Sequence, residues 1–186
     1  IAVNAAKLFL DGVIETQTAV LVDPYQDGTN GLPGMDERSL IDLAMALDQA
    51  GFQLHAHAIG DGAVRRMLDA IAEVASENGA RDRRPLLAHL ELVHPDDVPR
   101  FAALGAFADI QPLWAYPDAY WRDQVVASIG AERDARRYPF GDLMRAGAPL
   151  VGGSDWSVSS MNPFEAIEVA VTRQYPDAGG EVLHAD

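Results

Sequence analysis

The chain has 186 residues, 48% of them apolar, which is enough to bury a sizeable core in one domain. Its formal charge of -14 argues against a nucleic-acid partner, because phosphate binding needs clustered cations and the arginines here are scattered among carboxylates. The absence of cysteine excludes disulfides, thiolate metal sites and a cysteine nucleophile, and no run approaches the ~20 apolar residues of a membrane span, so a soluble protein is expected, with the compartment open and the cytoplasm as default.

Residues 1 to 10 form an apolar run that holds Asn4 and Lys7, reads as a strand and stops at Asp11-Gly12. Because the chain starts without Met and enters a strand at once, a piece of a longer protein is expected. Lys7 is the only lysine among 14 cationic side chains, the rest being arginine. A position that needs a primary amine, with its adjustable pKa and reactivity, explains such an exception; chance is the competing explanation. Residues 23 to 35 are rich in Gly, Pro, Asn and Asp and read as a long loop of the kind that often carries function.

Asp36 can cap a helix running to about Ala50, with Leu40, Leu43, Ala44 and Leu47 as its buried stripe and Gly51 as its stop. A strand over 53 to 59 follows, whose two-residue period sets His55 and His57 on one face and Leu54, Ala56 and Ala58 on the other. Gly60-Asp61-Gly62 breaks it, and a helix from Ala63 to Ala75 carries Val64, Met67, Leu68 and Ile71 on one stripe. A second such unit has a strand over 85 to 93, with Leu87, His89 and Glu91 sharing a face, then a helix opened by Pro95 and Asp96 and closed at Gly105. Residues 106 to 113 read as a strand ending at Gln111-Pro112. Residues 114 to 138, with Trp114, Tyr116, Tyr120 and Trp121, read as a loop and irregular helix over the open end of the strands. A short helix over 139 to 147, a strand from Pro149 ending at Asp155, and a helix started by Asn162-Pro163 with Phe164, Ile167, Val169 and Val171 complete the chain.

This β-α alternation predicts parallel strands, at about 30 residues per unit. His57 to His89 is 32 positions, one unit; His89 to Asp155 is 66, two units; Lys7 to His57 is 50, one unit plus the long loop. All four groups are therefore expected at the same end of one sheet, converging at the mouth if the sheet curves into a barrel. Two imidazoles, a carboxylate and an amine suit a metal such as zinc, provided the amine first becomes a carbamate.

Each residue has a plainer alternative. His55, one layer below His57, fits a hydrogen-bonded core histidine better than a ligand, while His94 fits a loop and His184 a solvated terminus. Asp61 and Asp96 fit helix caps. Tyr25 and Trp156 are open to two readings, pocket wall or packing. For His57, His89 and Asp155 the alternative is a buried polar group satisfied by backbone. No nucleophile elbow and no phosphate-cradling glycine loop is present to support another chemistry.

The stretches Lys7 to Ala19, Pro24-Tyr25, His57 to Val64, His89 to Pro95, Gln111-Pro112 and Gly153 to Val158 stand in an order and spacing that resembles one family. It is the metal-dependent amidohydrolase superfamily, specifically the amidohydrolase-3 group with its YtcJ-like proteins, N-substituted formamide deformylases and exoenzyme regulatory proteins. The resemblance implies a TIM-like (β/α)8 barrel of which this chain supplies strands four to eight. Lys7, carboxylated, with His57, His89 and Asp155 would bind one or two zinc ions, and Asp155 would serve as the catalytic proton acceptor. The implied reaction is hydrolysis of an amide or other non-peptide C–N bond in a small-molecule substrate of N-acyl or N-formyl type. Family members also carry a His-x-His pair on strand one. His55-x-His57 cannot be that pair, because the 98 positions from His57 to Asp155 hold about three units where seven would be needed. The chain is thus expected to hold half of a metal site, and the alternative is a non-catalytic domain of such a protein. Self-association is expected through the exposed edges of the strands near Lys7 and Asp155.

Overall fold

The computed structural model describes residues 4–118, 122–176 and 182–183; Tyr120, Trp121 and His184 lie outside them. Five strands, β1 (Ala5–Phe9), β2 (Gln53–Ala58), β3 (Leu86–His89), β4 (Phe107–Ile110) and β5 (Leu150–Gly152), form one sheet in sequential order. All four pairings are parallel, as in successive strands of a TIM-like barrel. The helices between them are α1 (Glu37–Gln49), α2 (Asp61–Glu77), α3 (Val98–Leu104), α4 (Arg122–Ile129), α5 (Ala131–Asp134) and α6 (Phe140–Arg145), and α7 (Pro163–Thr172) follows β5. No described helix is long and apolar enough to cross a membrane.

Helix starts follow from local chemistry. The Asp36 carboxylate accepts from Ser39 N at 2.9 Å, and the Asn162 side chain accepts from Phe164 N at 3.1 Å, ahead of Pro163 in the first turn of α7. Gly105 ends α3 in the left-handed region at φ 64°, where a side chain would be strained. Asp61 does not cap α2, although a cap was expected. Its carboxylate reaches Val22 N at 2.9 Å and ties the long loop to the helix, and Gly60 occupies the cap position.

One face of the sheet is sealed by helices. Leu8, Leu54, Ala56, Ala58, Leu87 and Ala108 pack there against Leu40, Val64, Met67, Leu68, Ile71 and Phe101 in the main core. Each fully buried Leu, Met or Phe in such a layer contributes about 1.5–3 kcal/mol. Two expected stripes are only partly buried: Leu43 is 39% exposed on α1, and Val169 is the one buried residue of α7, whose Phe164, Ile167 and Val171 stand in the open. Tyr25 turns out to be packing, 2% exposed with its hydroxyl donating to Ala19 O, while Trp156 lies at the surface.

The strands are shorter than their apolar runs. β3 stops at His89, where φ reaches 81°, with 53° at Leu90. β5 stops at Gly152, so Asp155 sits three residues past the strand instead of ending it, also with positive φ at 51°. Non-glycine residues in this region are uncommon and cluster where a local structure is held against its preference.

Candidate metal centre

β2 delivers His57 to the open end of the sheet, on the face away from Leu54, Ala56 and Ala58. Its Nε2 lies 3.1 Å from Gly12 O and 3.4 Å from an Asp11 carboxylate oxygen. A carbonyl only accepts, so Nε2 carries the proton and Nδ1 keeps a free lone pair. Asp11 is in turn held by backbone donors from Val20, Ile59 and Gly60 at 3.0, 3.1 and 2.8 Å. Burial pushes this carboxyl up to about 6 against the pull of those donors. The loop passes so close to the strand end that a Cβ at Gly60 would meet Val20 O at 2.1 Å, which accounts for the glycine. Asp11 and the loop contact were not singled out from the sequence. The one available signal was Asp11-Gly12 terminating an apolar run.

His89 meets His57 edge to face, with ring centres 4.5 Å apart, and stacks on Trp114 at 4.9 Å with the planes 1° from parallel. The expectation that Leu87 and His89 share a face is overturned: Leu87 lies in the helix-side core, while His89 turns to His57 on the other side. The positive φ at His89 breaks the pleat at that residue and reverses the alternation. His89 is 3% exposed, and its Nδ1 has no hydrogen-bond partner among the described residues. Gln111 stands beside the ring near enough to act on it as a weak hydrogen-bonding neighbour, although neither His89 Nδ1 nor the buried Gln111 Oε1 has a partner at full hydrogen-bond geometry among the described residues. Burial, reinforced by nearby His57 and Lys7, pushes His89 down to about 3; burial lowers His57 as well. Both rings are therefore neutral at ordinary pH, which is the form a metal requires.

Lys7 and Asp155 are less tightly gathered. Lys7 Nζ contacts His55 Nε2 at 3.1 Å, one layer below His57, and burial lowers its pKa while Asp109 and Asp155 oppose the shift. Asp155 also acts electrostatically on His57. Among the described residues no three His, Asp or Glu side chains stand close enough together to hold a metal ion. The histidine pair and the orphaned His89 nitrogen fit metal ligation; the full four-group set does not close around one point.

Beyond Trp114, a cavity of about 760 Å³ opens between the strand ends and the segments that follow them, with Ile59, Glu91, Tyr116, Arg137 and Tyr175 in its walls. Among the described residues of 114–138, Val125 and Ile129 of α4 pack over the strand ends with Ile14, Tyr25, Ile59 and Leu92, as expected for that part of the segment. Glu91 and Arg137 form a buried ion pair at 2.5 Å. Burial pushes Glu91 up to about 7 while the pairing raises Arg137, and the two close contacts from the guanidinium favour the charged pair. His94 caps the short turn before α3 by accepting from Asp96 N at 3.3 Å.

A family model described as the amidohydrolase family matches residues 1–186. Protein LONG AFTER FAR-RED 3 of Arabidopsis thaliana is 38% identical over 176 residues, covering 93% of this chain and 30% of that protein. The putative amidohydrolase YtcJ of Bacillus subtilis (strain 168) is 32% identical over 173 residues, covering 92% and 32%. The crystal structure of an uncharacterized metal-dependent hydrolase from Pyrococcus furiosus superposes with a TM-score of 0.77 at 28% identity, over 95% of this chain and 36% of that one. The chain thus spans about a third of the length of the proteins it matches.

Proposed function

The chain belongs to the amidohydrolase family, and on that premise we propose that it carries part of a metal-dependent site that hydrolyses an amide or related C–N bond, with N-acyl or N-formyl compounds as substrates. The observation that carries this reading is the buried pair of neutral imidazoles, His57 and His89, with a lone pair kept free on His57 Nδ1 and an unpartnered Nδ1 on His89. A buried polar nitrogen without a partner costs about 1–3 kcal/mol, and a bound ligand atom would offset that cost.

His57 and His89 would hold the metal, with zinc as the ion proposed, and Lys7 as its carbamate and Asp155 would complete the set by moving in from where they stand. When bound, such an ion supplies Lewis acidity, polarising a carbonyl and making water nucleophilic near neutral pH. Gly12 O and Asp11 hold the His57 ring by its far nitrogen, as partners behind metal-ligating histidines commonly do. Trp114 shields one face of the His89 ring from solvent. The Asp155 carboxylate takes the proton of the attacking water and returns it to the leaving nitrogen. In the full-length protein, Asp155→Asn should abolish hydrolysis with the fold kept, since it removes the base and little volume. Undiminished turnover in that variant would end the role given to Asp155.

A second reading, a non-catalytic domain, is favoured by the lack of a three-donor cluster among the described residues. Metal analysis separates the two: a full-length protein that retains no metal after purification in zinc supports the second. A cytoplasmic setting and self-association through the β1 and β5 edges complete the proposal. Phe9 on the β1 edge is 62% exposed, and sedimentation of a strictly monomeric chain would remove the association.

A further inference from the structure

We propose that His55 and Asp109 form a holder for Lys7, fixing its Nζ on the inner face of the sheet; the inference rests on the reading of Lys7 as a ligand. Lys7 Nζ is 3.1 Å from His55 Nε2, and an Asp109 carboxylate oxygen is 3.4 Å from the same nitrogen. An ammonium has only donors, so Lys7 donates to Nε2 and the imidazole carries its proton on Nδ1; the Asp109 oxygen beside Nε2 is held there by the charge of Lys7 and not by a hydrogen bond to the ring.

The contact spans three strands. His55 is on β2 and Asp109 on β4; the β3 residue in register with Asp109 is Ala88, whose small side chain leaves room for His55 and Asp109 to meet across β3. Asp109 is anchored from its other side, because its second oxygen accepts from Gln111 Nε2 at 3.3 Å. A Cβ at position 153 would come within 2.9 Å of Gln111 Nε2 and 3.0 Å of that oxygen, so Gly153 leaves the room this pair occupies. A polar chain therefore runs from Lys7 through His55 and Asp109 to Gln111, which stands beside His89.

A lysine needs such a holder. Its side chain has four rotatable bonds and loses up to about 2 kcal/mol of rotamer entropy when ordered, so an unsupported amine on a half-open face would sample many positions. Lys7 is the one lysine of the chain, and His55 and Asp109 meet it where a single orientation matters. His55-x-His57 thus divides its labour: one ring faces His89, and the other positions the amine.

The test loads the full-length protein with zinc against a competing chelator, and reads the carbamate carbon signal under isotopically labelled bicarbonate. Lys7→Ala should lose both zinc and the signal. His55→Leu and Asp109→Leu should each weaken zinc binding about 10- to 100-fold, the usual loss when a partner behind a ligand is removed, and should diminish the carbamate signal. His55→Gln, which can present an acceptor where Nε2 stood, should regain part of both. Leucine variants with wild-type zinc affinity and signal, beside a defective Lys7→Ala, would overturn the holder and leave the role of Lys7 standing. A Lys7→Ala protein that keeps its zinc would overturn both. Where a leucine variant fails to fold, the alanine variant at the same position is read by the same criteria.

Discussion

On the helix side of the sheet Leu8, Leu54, Ala56 and Ala108 are buried in the main core, whereas their chain neighbours Lys7, His55, His57 and Asp109 line the opposite face and contact one another or further polar groups. The two sets alternate along the same strands, so one backbone geometry serves both. The difference shows that stability and chemistry are separated here by a single residue step. The helix-side positions exclude water with small or branched apolar groups, while the inner positions hold polar atoms that need partners.

The largest expected effect breaks the helix side alone. Phe101→Ala removes a fully buried ring and should lower unfolding free energy by about 3–5 kcal/mol in denaturant titration, with zinc affinity of the folded fraction unchanged. A loss below about 1 kcal/mol would show that this face is not the principal core.

A smaller effect belongs to the inner face and depends on pH. His89 is held down to about 3 from its ordinary 6.5, so in this window the unfolded chain binds a proton that the folded one refuses. Its contribution is full above 6.5 and is lost as pH falls toward 3, by up to about 1.4 kcal/mol per pH unit. Asp11, pushed up to about 6 from 3.8, acts in the opposite sense, its contribution being lost as pH rises through that window. Denaturant melts of metal-free protein across this range should steepen toward acid, and His89→Gln should flatten the profile. An unchanged profile would mean that the ring is not buried as a neutral base.

The smallest effect sharpens the contrast. Lys7→Met keeps the stem and removes the amine from an exposed inner-face position, so stability should stay within about 0.5 kcal/mol while zinc is lost. If stability fell by more than about 2 kcal/mol, Lys7 would be holding the fold and the separation of faces would fail at β1.

Much of the architecture was legible because periodicity and unit length are local quantities. The 32-residue step from His57 to His89 placed both at the same sheet end, and their rings meet at 4.5 Å. The orientation of His89 was not legible. Strict alternation put it with Leu87, and only a backbone turn at positive φ, which histidine adopts against preference, brings it to His57. Asp155 was placed at the end of a strand running from Pro149, but pairing with β4 ends at Gly152, and backbone partners decide where a strand stops. Asp109 went unremarked for the opposite reason: one carboxylate in an alternating strand looks like a solvated position until its neighbours across two strands are known.

The sequence by itself determined the parallel β-α order, the helix-side core and the positions along the chain where polar groups reach the sheet end. These follow from hydrophobic period, capping chemistry and unit length, all of which act within a few tens of residues. Only the tertiary structure decided which groups touch: Lys7 with His55, His55 with Asp109, His57 with Gly12 and Asp11, His89 with Trp114. Those contacts join segments up to 54 positions apart, and they depend on strand register, on the close passage of the loop at Gly60 and on the reversed turn at His89. No local pattern encodes them, because each exists only once the sheet has brought distant strands side by side.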